Sequence, residues 1–273
     1  MNDKPTPSRD SGNANDRLAV SAVEKSGLVC VPGGIFSMGS APGEGHENER
    51  PTHQVFVEDF FIGRFPVTFS EYDVFCAATG CSYPDDYGEG RGSRPVIFVD
   101  WFDAVAHCNW RSIAEGLGTC YIIRDRDVQC DFNADGYRLP TEAEWEKAAR
   151  GTDGRAFPWG NEDPSLDHCN FGGHSGFTTP VGSYSPKGDS PFGCSDMAGN
   201  VGEWCWDWFD EDYFSRSPEN NPTGPEMGQF RVIRGGSWLS KKAQHLRTTS
   251  RNRDVPSPGC SIFGFRIARR ARK

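Results

Sequence analysis

The ten cysteines of this 273-residue chain include no Cys-x-x-Cys pair. That absence excludes a zinc ribbon and a thioredoxin-type redox motif, which both need two thiols on one tight turn. The six histidines form no His-Glu-x-x-His helix and no closely spaced triad, which excludes a zinc-protease centre as well. No apolar run approaches the ~20 residues needed to cross a bilayer, and no apolar h-region of a secretory leader stands near the N-terminus. Positive charge is in deficit, with 29 Lys and Arg against 38 Asp and Glu. A chain with a net charge of −9 lacks the general attraction to phosphate on which nucleic-acid binding rests, so no nucleic-acid partner is expected. Residues 28–270 contain no repeat, low-complexity block or linker.

Large apolar side chains are plentiful, with 8 Trp and 19 Phe, enough for a substantial core. The 32 Gly and 19 Pro are spread without period, which suits a loop-rich globular domain of mixed helix and strand. Residues 1–26 are polar and read as a disordered lead. With no leader, the default compartment is the cytoplasm, although the same lead would serve as the tether of a surface-anchored protein. Charge is unevenly placed. From Arg231 onward the chain carries twelve Lys or Arg and one acid, Asp254. This is expected to be a basic segment threaded against an acidic body, with Arg269, Arg270, Arg272 and Lys273 as a free tail. Most of the cysteines sit among apolar residues and read as buried thiols. Cys76 and Cys81 are near enough in sequence to bridge, though nothing requires it.

Three helices announce their starts. Thr68-Phe69-Ser70-Glu71 and Thr141-Glu142-Ala143-Glu144 are capping boxes, and Asp100 caps a third helix. The first should run to about Thr79 and stop at Gly80. The second should bury Trp145, Ala148 and Ala149 and stop at Gly151. The Asp100 helix carries Trp101, Val105, Cys108 and Asn109 and should end before Gly116. Val29–Val31, Phe36–Met38 and His53–Val57 read as strands.

The segment Gly136-Tyr137-Arg138-Leu139-Pro140-Thr141-Glu142-Ala143-Glu144-Trp145-Glu146 closely resembles a hallmark of the formylglycine-generating enzyme (sulfatase-modifying factor) family. Other marks follow that family's order: Pro32-Gly33-Gly34, Met38-Gly39-Ser40, Phe65-Pro66-Val67-Thr68, Phe157-Pro158-Trp159-Gly160-Asn161, Asp196-Met197-Ala198-Gly199-Asn200-Val201, Glu203-Trp204, Arg234-Gly235-Gly236-Ser237-Trp238 and Gly264-Phe265-Arg266. The resemblance spans about residues 28–268. It implies an α+β fold, the formylglycine-generating-enzyme variant of the C-type lectin fold, as a single domain over residues 27–270 followed by a basic tail, 271–273. Arg138, Arg234 and Arg266 are expected to be buried against Glu142, Glu144 or Glu203, holding loops that no sheet ladder holds.

In the enzymes this chain resembles, two cysteines after the Gly-Gly-Ser-aromatic motif bind copper. Here those positions hold Ser240 and His245. A hydroxyl and one imidazole suit Cu(I) poorly, so neither copper nor formylglycine-generating activity is expected. Two readings remain. One is an oxidation of altered chemistry in the same cleft, with His245 as general base. The other, favoured, is a display scaffold similar to the variable proteins of diversity-generating retroelements. There the segment between the Gly-Gly-Ser-Trp motif and Gly-Phe-Arg would bind a protein or small-molecule ligand through Trp238, Ser240, His245, Thr248, Thr249 and Phe263. Lys241 and Lys242 count against retroelement diversification, because adenine-directed mutation of an asparagine AAC codon cannot produce lysine. The resemblance also implies a Ca²⁺ loop of Asp196, Gly199, Val201 and Glu203, with Gly202 where tryptophan is usual, and a second loop at Asn170 and Phe171. A monomer is expected.

Overall fold

The structure, a computed structural model, describes residues 27–271. The expected N-terminal lead, Arg272 and Lys273 lie outside the described residues. The elements in chain order are β1 (Leu28–Val31), β2 (Gly34–Met38), β3 (His53–Val57), β4 (Phe60–Gly63), α1 (Phe69–Thr79), α2 (Trp101–Ala114), β5 (Tyr121–Arg124), β6 (Asp127–Cys130), α3 (Glu142–Arg150), β7 (Gly202–Trp208), β8 (Arg231–Arg234), β9 (Arg251–Asp254), β10 (Phe263–Gly264) and β11 (Ala268–Arg270). All three helices begin at the residues the capping signals mark. Thr68, Asp100 and Thr141 each accept from the backbone N–H three residues on, and the acid at that position returns the bond. This is the mixed helix and strand, rich in irregular backbone, that the sequence implies.

Strands β1 and β2 are adjacent in sequence but do not pair with each other. β1 and β11 flank β4 in one antiparallel sheet, and β2 pairs with β3. The four-stranded sheet runs β10-β7-β8-β9, with β10 parallel to β7 and the other pairs antiparallel. Arg269 and Arg270 are therefore strand residues, not a free tail, and Arg270 reaches Glu58 at 3.2 Å. Between α3 and β7, residues 151–201 hold no helix or strand.

Backbone bonds to other loops hold that segment, among them Gly172 N–H to Ser240, Val181 N–H to Ser93 and Gly199 N–H to Gly235, and the helix before it is tied by charge. All nine residues of α3 are buried, three glutamates among them. Glu142 takes Arg234 at 2.9 Å and both Nε and Nη2 of Arg251, at 2.7 and 2.9 Å. Glu146 takes Arg234 at 2.7 Å and the Gly39 N–H at 2.8 Å. Glu144 receives a two-pronged Arg138 at 2.6 Å. On the neighbouring strand, Glu203 receives Arg266 at 2.5 and 2.6 Å and the indole N–H of Trp145 at 2.7 Å. The remaining N–H groups of Arg266 donate to the carbonyls of Gly63 and Ser195. Burial by itself would raise the Glu142 carboxyl; Arg251 and Arg234 outweigh it and hold it below the usual range. The basic C-terminal segment is thus threaded through an acidic body, with Arg234, Arg247, Arg251 and Arg266 each closing on an acid far away in sequence.

His107, on the buried face of α2, lies in an aromatic box. Its ring stacks on Tyr72 at 5.6 Å and meets Phe75, Trp110 and Phe265. Neither ring nitrogen has a hydrogen-bond partner among the described residues. Burial, helped by Arg111, pushes its pKa down to about 3.

Two outcomes follow from these groups. Removing one partner of a buried ion pair leaves a charge in low dielectric, at a cost of about 3–5 kcal/mol. Arg234→Ala and Arg266→Ala should each lower the thermal midpoint by roughly 10 °C, whereas Asn252→Ala, at an exposed position, should leave it nearly unchanged. Calorimetry decides between these, and equal effects would show that the pairs carry no special stability. The second outcome concerns acid. Between about pH 3 and the ordinary histidine value of ~6.5, the unfolded chain binds a proton that folded His107 refuses, so stability falls as pH drops through that window. Asp196 and Asp207, raised by burial to about 6 and about 8, act in the opposite direction. His107→Phe should therefore lose fewer degrees of midpoint than the native chain between pH 7 and pH 5. An unchanged acid slope would show that His107 is not the group that titrates.

Candidate functional site

The loop joining β8 to β9 carries the candidate residues. It leaves β8 through Gly235 and Gly236, which both have positive φ (91° and 69°). A side chain at position 236 would put its Cβ 2.7 Å from the His245 carbonyl oxygen and 3.0 Å from Ser240 Oγ, so glycine is required for the turn to close. The Ser237 N–H then donates to Ser240 Oγ at 2.9 Å, and Ala243–Leu246 form one 3-10 turn. Arg247 anchors the return by donating at 2.7 Å to both oxygens of Glu49. Glu49 is fully buried and also accepts from Ser40 Oγ and Thr249 Oγ1.

That tie draws residues 46–48 against the loop and opens a cleft of about 560 Å³. Ser240, His245, Gly235 and Gly236 line one side of it. His46, Asn48, Glu211, Asn252 and Arg253 line the rest, and Arg251 contributes from below. The amide nitrogen of Gln244 lies 3.3 Å from His46 Nε2 and 3.5 Å from His245 Nε2, with the two rings 6.3 Å apart. The His245 pKa is lowered by partial burial first and then by the charges of His46, Lys242 and Arg247, so the ring is a neutral base at pH 7. Arg253 is held by Glu211 at 2.7 Å. A larger hollow, about 650 Å³, lies between Gly33–Gly34 and Asn133–Asp135, and none of the candidate residues lines it.

Of the six residues expected to form the binding surface, only Ser240 and His245 face the cleft. Thr248 and Thr249 are buried, because their hydroxyls turn inward. Thr248 Oγ1 donates to the Arg155 carbonyl at 3.0 Å, and Thr249 Oγ1 donates to Glu49 at 2.9 Å. Phe263 is buried in β10, packed edge-on against Trp204 at 5.4 Å. Trp238 is half-buried and works as a pin. Its indole N–H donates to the Ser261 carbonyl at 3.2 Å, its backbone N–H donates to the Asn200 carbonyl, and its ring lies 5.1 Å from Phe177. Residue type made these four look like contact positions, but the partners that bury them lie elsewhere in the chain. His46, Asn48 and Glu211 carried no motif that could have marked them.

The loop expected to bind calcium is differently disposed. Gly199 is placed for close approach, with a Cβ there only 2.2 Å from the Asn170 carbonyl oxygen. Both oxygens of Glu203 are taken by Arg266 and Trp145. Asp196 Oδ2 accepts from the Gly182 N–H at 2.6 Å, and burial raises its pKa to about 6. Calcium at Asp196, Gly199, Val201 and Glu203 would draw on carboxylate oxygens together with the backbone carbonyls of Gly199 and Val201. Among the described residues, no three His, Cys, Asp or Glu side chains converge to hold a metal ion. One nearby acceptor is left without a protein donor. Asn170 Oδ1 is buried with no partner, while its Nδ2 donates to the Phe177 carbonyl at 2.8 Å.

Residues 16–271 match the family described as the sulfatase-modifying factor enzyme 1-like domain. The chain is 32% identical to the formylglycine-generating enzyme of Streptomyces coelicolor over 306 residues, covering 89% of this chain and 88% of that one. It is 33% identical to the serine/threonine-protein kinase pkn1 of Chlamydia caviae over 89% of its own length, but it spans only 38% of that kinase. Among solved structures it resembles Treponema denticola variable protein 1, with a TM-score of 0.76 and 31% identity, covering 89% of this chain and 95% of that one. With its ordered motifs, its buried arginines and a cleft behind Gly235-Gly236 in place, the chain belongs to the sulfatase-modifying factor enzyme 1-like family.

Proposed function

We propose that this chain is a ligand-binding protein whose site is the cleft between His46–Asn48 and the β8–β9 loop, and that it has no formylglycine-generating activity. One observation carries the proposal: the cleft wall contains Ser240 and His245 and no cysteine. Thiol chemistry on a substrate cysteine needs a thiolate in the cleft. The rim consists of exposed polar residues, Lys241, Lys242, Gln244, His245, Asn252 and Arg253, which can change without opening the core. The likeness to a variable protein supports a rim of that kind. The ligand is a protein or small molecule with hydrogen-bonding groups complementary to two imidazoles, a carboxylate and carboxamides.

A second reading rests on the shared Gln244 contact. Two imidazole Nε2 atoms converge on one point, which suits proton transfer in an oxidation that does without the cysteine pair. Calcium belongs to the proposal at the adjoining loops of Asp196–Glu203 and Asn170–Phe171, where the buried Asn170 Oδ1 has no donor and a cation can satisfy it.

The function is tested in two arms. Purified chain incubated with a sulfatase-type Cys-containing peptide, with and without copper, should yield no aldehyde above a no-protein control; product above that control contradicts the proposal. In parallel, related copies of the locus should differ mainly at the exposed rim and keep Thr248, Thr249 and Phe263. Variation at buried positions as frequent as at the rim also contradicts it, and a rim with fixed Ser240, His245 and His46 favours the oxidation. Calcium is tested by melting metal-stripped protein in chelator and in millimolar Ca²⁺. A ligand that binds only the folded state raises the midpoint, and Asn170→Ala should abolish the rise. Equal midpoints in the native chain would remove calcium from the proposal.

A further inference from the structure

Cys76 lies in the penultimate turn of α1 and is buried, whereas Cys81 follows the helix and is half-buried. Gly80, with φ of 77°, ends the helix in the left-handed conformation, and its N–H donates to the Cys76 carbonyl. This reversal brings Cys81 Sγ back to 3.1 Å from Cys76 Sγ. The Cys76 thiol has one further contact, to the Ser82 carbonyl at 3.4 Å. A disulfide bond is about 2.05 Å long, so closure needs the sulfurs to approach by about 1 Å. Both residues flank a turn that glycine already makes, and no distant element has to move.

We propose that Cys76 and Cys81 are a thiol modification site, closing reversibly to a disulfide by exchange with a small-molecule disulfide of the glutathione class. The Cys81 thiolate attacks one sulfur of the oxidant and expels one molecule of thiol, leaving a mixed disulfide on Cys81. Cys76 then loses its proton and attacks Cys81 Sγ, expelling the second thiol. Two protein thiols become one disulfide, and one oxidant disulfide becomes two thiols, so electrons and protons balance. The order follows from access. Burial, and then the hydrogen bond from Cys81, push the Cys76 thiol up to about 12, which makes Cys76 the resolving group rather than the first nucleophile. The bridge would staple the chain beyond α1 onto the turn that supplies Tyr72 and Phe75 to the His107 box.

The test uses the full chain, equilibrated with either glutathione disulfide or reduced glutathione. It is then alkylated with iodoacetamide in denaturant, cut with trypsin and weighed. Residues 65–91 lie between two arginines and contain only these two cysteines. After glutathione disulfide, that peptide should be unalkylated and lighter by two hydrogens than its reduced form, and dithiothreitol before alkylation should restore two alkyl groups. A doubly alkylated peptide after oxidation overturns the proposal. So does glutathione retained on Cys81 beside an alkylated Cys76. In Cys81→Ser, Cys76 should stay free of glutathione while the chain is folded; its modification there at the native rate would overturn the order of attack.

Discussion

Three buried glutamates on one nine-residue helix constrain everything else in this molecule. α3 has no solvent face, so Glu142, Glu144 and Glu146 can be ionised only where guanidinium groups meet them. Isolated buried carboxylates would be too costly to keep charged. The arginines that answer them come from positions 138, 150, 234 and 251. Glu203 and Arg266 repeat the arrangement beside the indole of Trp145. Because a guanidinium has five donors, each arginine can also hold carbonyls from irregular backbone. Arg266 does so at Ser195 and Arg150 at Gly154, adding to the backbone bonds that hold residues 151–201, where there is no helix or strand.

The same ties divide the β8–β9 loop into a fixed floor and a free rim. Arg234 and Arg251 hold its two ends under the sheet, and Arg247 holds its middle to Glu49. The turn from Lys241 to His245 makes few inward contacts and stays exposed. A cleft built this way has walls that keep their position while rim side chains are exchanged, which suits recognition. It also brings two imidazoles together from positions 46 and 245, although His46 belongs to no motif.

Much of this was legible in the residues. The capping boxes at Thr68 and Thr141 gave the helix starts because the bonds that make them are local. The pairing of Arg138, Arg234 and Arg266 with Glu142, Glu144 and Glu203 could be anticipated because buried charge has few other solutions. The binding surface was less legible. Thr248 and Thr249 look like surface residues by type, yet whether a hydroxyl points out or in depends on acceptors at Arg155 and Glu49, far off in sequence. At the calcium loop, Glu203 pairs with Arg266, a partner that spacing within the loop could not reveal. His46 is brought to the cleft by the Glu49–Arg247 tie and by the bond from Arg251 to the Asn48 carbonyl, neither marked by its own neighbours in sequence.

The most direct test of charge pairs as the frame of the fold is native-state amide hydrogen exchange read at single residues. The N–H groups of Gly199, Asn200 and Trp238 donate to carbonyls of other loops, at Gly235, Asn170 and Asn200. If the arginine ties make these loops part of the global unit, the three amides exchange only through complete unfolding, as slowly as those of β8 and with the same denaturant dependence, while the amides of Lys241–Gln244 exchange by local opening. Exchange of Gly199, Asn200 and Trp238 at the rate of the rim would contradict the account, since it would mean that the irregular segments open without breaking the pairs said to hold them.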